Sequence, residues 1–413
     1  MSDRIQPISL GERIDAIDVL RGVALLGILL LNVRTFALPS AAYSSPMVAG
    51  NDSAADSAVF MIVQLCADQK FMAIFSLLFG VGLIIFTTRA ESRTGQSGPL
   101  HYRRMGWLLV IGLCHGWLLW WGDILFAYAL CGMLVYPLRR LPPLVQFLGG
   151  VSLLLVGTAL WFVLGAMIVL GGPEVIAEVS TMNSPTPDML VAEQLAWGGS
   201  WVDQSPSRIG LAVMLESWSF LSWVMWRSTG LMLIGMACFR WGLFDVARHW
   251  RVHGGMLLVG FGVGLPLVWH GIGVHQASGW SGIDSSFVDT LWNYWGSLGV
   301  AAGWIGLVLL ICRINKAAIL HTALASVGRM ALSNYLAQSV LCGVIFYGWG
   351  FGYYGHFGYA QQMVVVACIW AAQLVWSPLW LSLFRFGPME WVWRSLSYWR
   401  AQPIRRSSLH SSM

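Results

Sequence analysis

Ten apolar runs, at 17–38, 59–87, 105–121, 124–138, 144–170, 223–243, 256–272, 294–312, 332–350 and 363–384, alternate with short polar links along this chain. Several reach the roughly 18 residues that a helix needs to cross the hydrocarbon of a bilayer. The pattern predicts an all-α fold, a polytopic transmembrane bundle of about ten helices. Charge in the links then sets the orientation. Arg4 and Arg13 precede the first run, and every second link after it is basic: Arg89, Arg93, Arg103 and Arg104; Arg139 and Arg140; Arg240, Arg248 and Arg251; Arg313 and Lys316; Arg385 and Arg394 onward. The links between them are acidic or neutral, with Asp52 and Asp56, then Asp123, then Glu174 through Asp203, then Asp284 and Asp289. Lys and Arg collect on the cytoplasmic side of membrane proteins, so both termini are expected there.

Residues 1–413 therefore constitute one integral membrane domain. Two stretches fall outside its runs. Residues 171–216 are expected as an exterior loop, because Pro173, Pro185 and Pro187 interrupt any long helix while Trp197 and Trp201 suit the interface. Residues 385–413 are expected as a cytoplasmic interfacial tail, its Trp391 to Trp399 stretch lying in the membrane plane with aromatics down and arginines up.

Composition excludes a water-soluble globule: 57% of residues are hydrophobic and 10% charged, against roughly 45–50% and 25% in soluble domains. The net charge of +5 sits in span flanks and forms no basic stripe, which excludes a nucleic-acid partner. The apolar start carries Asp18, Arg21 and Asn32 and exceeds the length of a signal h-region, so it is expected as an uncleaved anchor. No Cys-x-x-Cys pair occurs among the seven cysteines, and His249 with His253 form only an i, i+4 pair in a basic link. No metal ligand set is indicated.

Ionisable groups inside apolar runs mark candidate chemistry, because hydrocarbon offers them no water. His115 stands about ten residues beyond Met105, about 15 Å into its run at 1.5 Å per residue, and an imidazole there can serve as a general base. Asp123 can orient that ring if the chain reverses at Trp121-Gly122-Asp123; its competing role is to cap the next helix. Asp18 and Arg21 share a helix face, where the guanidinium either pairs with the carboxylate or clamps an anionic group such as a phosphate. Asp68 and Lys70, at i, i+2, do not face each other and call for different partners or a break in the helix. Asn334 and Gln338, at i, i+4, either line a path for a polar ligand or bond one helix to another.

The segments Ile17-Asp18-Val19-Leu20-Arg21-Gly22, Phe75-Ser76-Leu77-Leu78-Phe79-Gly80, His115 with Gly122-Asp123-Ile124-Leu125-Phe126, Arg329-Met330-Ala331-Leu332-Ser333-Asn334-Tyr335 and Gly387-Pro388-Met389-Glu390-Trp391 resemble, in this order, the YeiB family of bacterial inner-membrane proteins. That family is described as a domain of unknown function and sometimes as transporters. The Leu20-Arg21-Gly22 opening is also distantly similar to membrane acyltransferases, which move an acyl group from cytosolic acyl-CoA to an acceptor. This second resemblance implies that Arg21 binds the donor and that His115 acts as base or acyl relay; on the acyl-transfer reading, fixed donors such as Asn334 or backbone amides would steady the oxyanion. No resident cofactor is expected, and acyl-CoA enters as co-substrate. The acceptor would be a cell-envelope glycan, a lipid or a small molecule. The competing readings are an inner-membrane transporter with Asp68, Lys70, His115 and Asp123 along its path, and a noncatalytic membrane assembly protein.

Overall fold

The computed structural model describes residues 15–51, 53–246, 250–280, 287–314 and 318–406. The link charges Arg4, Arg13, Asp52, Arg248, Asp284 and Lys316, and His249 of the histidine pair, lie outside the described residues. His253 lies inside them, its Nε2 2.9 Å from the carbonyl oxygen of Leu243.

All ten expected runs are helical. The first half comprises α1 (Asp15–Ala37), α2 (Ala54–Cys66), α3 (Lys70–Thr94), α4 (Gly98–Leu118), α5 (Leu125–Val135) and α6 (Pro143–Leu170). Three short helices follow, α7 (Pro173–Asn183), α8 (Pro187–Gly198) and α9 (Ser205–Met214), and a π-helical stretch, Leu215–Val224, runs on into α10 (Met225–Arg240). The remainder is α11 (Trp250–Ala277), α12 (Thr290–Arg313), α13 (Ala318–Arg329), α14 (Ala331–Phe346), α15 (Tyr359–Leu383) and α16 (Pro388–Ser397). Among the described residues, seven helical stretches are long and apolar enough to cross a membrane, namely α1, the α2–α3 pair, α6, Ser205–Arg240, α11, α12 and α15, while α5 and α14 are shorter apolar helices. The described residues form no strand beyond an isolated antiparallel bridge between Phe384 and Arg405.

Two local departures from the expected pattern have plain causes. The run at 59–87 is broken where Gln69 takes a left-handed φ of 63°, so that α3 restarts at Lys70. The segment 171–216 is helical where a loop was expected, because Pro173, Pro187 and Pro206 sit in the first turns of α7, α8 and α9. There a missing N–H does no harm and the fixed φ already suits a helix.

Side-chain size, more than polarity, separates inside from outside along α6. On α6 the buried positions include Gly150 and Gly157, whereas Leu148, Leu155 and Phe162 are at least half exposed. Small residues facing neighbouring helices and large apolar ones facing outward are the pattern of a helix in lipid. The buried α1 runs through the middle of the fold against α3, α13, α14 and α15. Gly22 of α1 lies against the Leu324 carbonyl and Gly328 of α13 against the Asp18 carbonyl, with no room for a Cβ at either. This crossing fixes Asp18 and Arg21 close to the start of α14.

Candidate functional site

Helix α4 begins seven residues before the expected run, so His115 stands in its last turn, about 26 Å from the helix start along the axis. Leu119 and Trp120 both donate backbone N–H to the His115 carbonyl, the helix ends, and the chain reverses through Trp121-Gly122-Asp123 into α5. Asp123 then does both things asked of it. Its Oδ2 accepts the N–H of Phe126 at 2.7 Å, capping α5, and its Oδ1 lies 2.7 Å from His115 Nδ1. An ionised carboxylate only accepts, so Nδ1 carries the proton and Nε2 is left as an acceptor. Ser339 of α14 has its Oγ 2.8 Å from Nε2 and 3.4 Å from the Tyr335 carbonyl, so its one proton can go to either, the ring nitrogen being the nearer. The imidazole packs between Tyr335, with ring centroids 5.0 Å apart, and Trp120 at 6.0 Å. His115 and Asp123 are almost wholly buried, with side chains 1% exposed.

A cavity of about 300 Å³ opens beside this group. Six arginines line it: Arg21, Arg89, Arg93, Arg104, Arg329 and Arg394. Its two carboxylates are already engaged. Asp18 holds Arg21 at 3.1 Å. Glu390 accepts the N–H groups of Leu332 and Ser333 at 2.7 and 3.1 Å and the Ser333 hydroxyl at 2.5 Å, capping α14. Burial pushes the Glu390 carboxyl above its ordinary range, against the opposing pull of its hydrogen bonds to Ser333. The Arg104 guanidinium lies over Phe86 at 4.2 Å and Trp393 at 4.4 Å, a stacking that positions a cation while leaving its N–H groups in plane for an anion. Deeper in, the walls turn apolar with Ile28, Phe75, Phe79 and Leu108, and one wall is Tyr335.

His115, Asp123 and Ser339 do not themselves line the cavity. Tyr335 touches both sides, and Ile124 and Leu125, next to Asp123, also lie on the wall. The expected interfacial tail is likewise part of this architecture. Within it α16 contributes Glu390, Trp393 and Arg394 to the cavity, and Trp393 Nε1 donates to the Arg104 carbonyl at 2.8 Å.

Other expected site residues lie elsewhere. Asn334 donates to the Val327 carbonyl and the Ser377 hydroxyl and accepts from Trp376 Nε1, and Gln338 donates to Gln373 Oε1 at 2.9 Å. Both face α15 and join helices. Neither reaches the cavity or His115, because each amide is turned to the side of α14 away from α4. Asp68 and Lys70 stand on either side of the helix break at Gln69, the second of the two arrangements expected for them, and share partners across it. Asn293 of α12 donates to Asp68 Oδ2 at 2.5 Å and accepts from Lys70 Nζ at 2.6 Å, with Gln64 bonded to both. None of these groups lines the cavity.

At the far end of α4, the 171–216 segment closes the site. Arg208 Nε donates to the Trp117 carbonyl and Trp201 Nε1 to the Leu118 carbonyl, both at 2.8 Å. These carbonyls end a helix and have no intrahelical partner. Trp197, 1% exposed, stacks on Tyr347 at 4.7 Å. Ser339, Arg104, Arg394 and Glu390 are the functional candidates that residue spacing alone did not single out.

Residues 238–400 match the family described as "Protein of unknown function (DUF418)". The chain is 34% identical over 404 residues to the uncharacterized protein YeiB of Escherichia coli (strain K12), covering 95% of this chain and 98% of that relative. It is 30% identical over 422 residues to the uncharacterized protein YxaH of Bacillus subtilis (strain 168), covering 98% and 99%. An uncharacterized 39.9 kDa protein of Bacillus acidopullulyticus is 27% identical over 413 residues. No solved structure matches the chain.

Proposed function

The chain belongs to the YeiB family, and from that footing we propose that it is a bacterial inner-membrane acyltransferase that takes acyl-CoA from the cytoplasm and passes the acyl group to a cell-envelope or small-molecule acceptor. The reading is carried by one observation: an arginine-lined cavity ends on Tyr335, whose ring packs against an imidazole hydrogen-bonded to Asp123 and Ser339. Acyl-CoA has several phosphates and an apolar acyl end. Arg21, Arg104 and Arg394 suit the phosphates, because guanidinium groups bind such oxygens with paired N–H bonds, and the Phe75 and Phe79 region suits the acyl chain. On the positive-inside expectation the arginine mouth faces the cytoplasm, where the donor is. His115, with Asp123 on Nδ1, is set to take a proton at Nε2.

A transporter reading has one observation of its own. Asp68, Asn293 and Lys70 form a buried polar chain at the break between α2 and α3, and buried charge beside a discontinuous helix is a feature of ion-coupled carriers. The two readings separate by experiment. Purified protein in lipid nanodiscs is incubated with labelled acetyl-CoA, and free CoA is followed. The acyltransferase reading expects CoA release that is lost in His115→Ala and weakened in Arg21→Ala. Absence of CoA release by the wild type, with gradient-driven uptake in vesicles that depends on Lys70, would establish the carrier instead.

A further inference from the structure

The bond pattern around His115 is that of a nucleophile, a base and an orienting carboxylate drawn from three different elements. Ser339 comes from α14, His115 from the last turn of α4, and Asp123 from the reversal before α5. The two heavy-atom distances, 2.8 Å from Ser339 Oγ to Nε2 and 2.7 Å from Nδ1 to Asp123 Oδ1, fall within the range expected of such a relay, which is recognised by geometry and roles and not by chain order.

We propose that Ser339 is the nucleophile and carries the acyl group as a covalent ester between donor and acceptor. The proposal rests on the acyl-transfer reading and adds to it an intermediate on the protein. In the first half-reaction the Ser339 hydroxyl gives its proton to His115 Nε2 as Oγ bonds to the thioester carbonyl carbon. The C–S bond then breaks, and the CoA sulfur leaves with the proton returned from Nε2. In the second half-reaction the acceptor hydroxyl or amine gives its proton to Nε2 and bonds to the ester carbon; the C–Oγ bond breaks, and Oγ recovers the proton. Asp123 holds the ring in one tautomer and steadies its positive charge in both halves. Ser339 lies behind the cavity wall, one helical turn after Tyr335 on the same face of α14, so the proposed step requires the Tyr335 ring to move aside.

The test uses the full chain in nanodiscs and two probes, a fluorophosphonate that reacts with activated serines and labelled acetyl-CoA, each followed by peptide mass mapping. The expected result is that both modify Ser339, that His115→Ala loses both, and that Ser339→Ala lowers CoA release by about 10³-fold or more. Ser339→Cys, which keeps a nucleophile of similar size, is expected to hold the acetyl group as a thioester that hydroxylamine releases. Modification of Ser339 by the fluorophosphonate in a protein that releases no CoA supports the nucleophile and removes the acyl-CoA reading. CoA release by Ser339→Ala at more than half the wild-type rate overturns the covalent step and leaves direct transfer through His115. Absence of any modification at position 339 by either probe also overturns it.

Discussion

Gly112 faces Asp123 across the α4–α5 reversal so closely that a Cβ at Gly112 would stand 2.8 Å from Asp123 Oδ2 and run into the backbone nitrogen of Phe126. The missing side chain is what lets one carboxylate cap α5 and hold His115 together. Gly112→Ala is expected to push α5 outward, to lower stability by about 1–3 kcal/mol as overpacking does, and to reduce CoA release more than the loss of folded protein explains. Thermal unfolding in detergent beside single-turnover CoA release separates the two effects.

Asp123→Asn keeps the shape of the turn but turns a pure acceptor into a group that can present an N–H to Nδ1, favouring the wrong tautomer of His115. A fall of about 10⁴-fold in turnover with little change in donor affinity is the outcome a positioning carboxylate implies. Turnover per folded molecule and donor KM measured side by side check this, because a purely structural loss removes folded protein without lowering turnover per folded molecule.

Arg104 lies over two aromatic rings on the cavity wall, and Arg21 lies 3.0 Å from where a Cβ on Gly82 would sit. Arg104→Ala is expected to weaken acyl-CoA binding about 10- to 100-fold, the worth of one charge-assisted hydrogen bond of roughly 1.5–3 kcal/mol. Gly82→Ala, which crowds the Arg21 guanidinium, acts in the same direction. Binding of S-acetylpantetheine, which lacks the nucleotide phosphates, should change little in either variant; an equal loss for both ligands contradicts phosphate recognition.

Glu390 links stability to pH. Burial raises its pKa above the ordinary glutamate value of 4.5, so the folded protein binds this proton more tightly than the unfolded chain. Stability from this group is complete below that value and declines as pH rises through the raised one. Thermal midpoints of wild type and Glu390→Gln, followed upward from about pH 4, should therefore show a decline in the wild type that the variant lacks.

The breaking of a bridge gives a stability prediction away from the cavity. Asn293→Leu removes the amide that joins Asp68 to Lys70 and leaves each with Gln64 but one partner fewer, a change expected to be destabilising by about 1–3 kcal/mol. Measured unfolding in detergent checks it, and a shift near zero would mean that water already serves these groups.

The helices were legible from runs of apolar residues, since lipid-facing and buried positions alike must be apolar. The pairing of His115 with Asp123 was legible only as a condition on chain reversal, and the reversal depends on Gly112, whose role is visible only against α5. On α14 the sequence offers two polar stripes of equal spacing, Asn334 with Gln338 and Tyr335 with Ser339. Spacing cannot say which faces α4; the structure turns Ser339 to His115 and the amides to α15. Likewise the arginines of the cavity are scattered over α1, α3, α4, α13 and α16. Arg21 stood out inside its run, but Arg89, Arg93, Arg104 and Arg394 looked like ordinary span flanks, because their convergence is a property of packing.

With Arg208 and Trp201 bonded to the final carbonyls of α4, the chamber has its door on the arginine side and a fastened wall behind the imidazole. On the covalent reading, donor and acceptor react with Ser339 one after the other. CoA is then expected to leave before the acceptor reacts, and steady-state measurements should give a ping-pong pattern, with parallel lines in double-reciprocal plots.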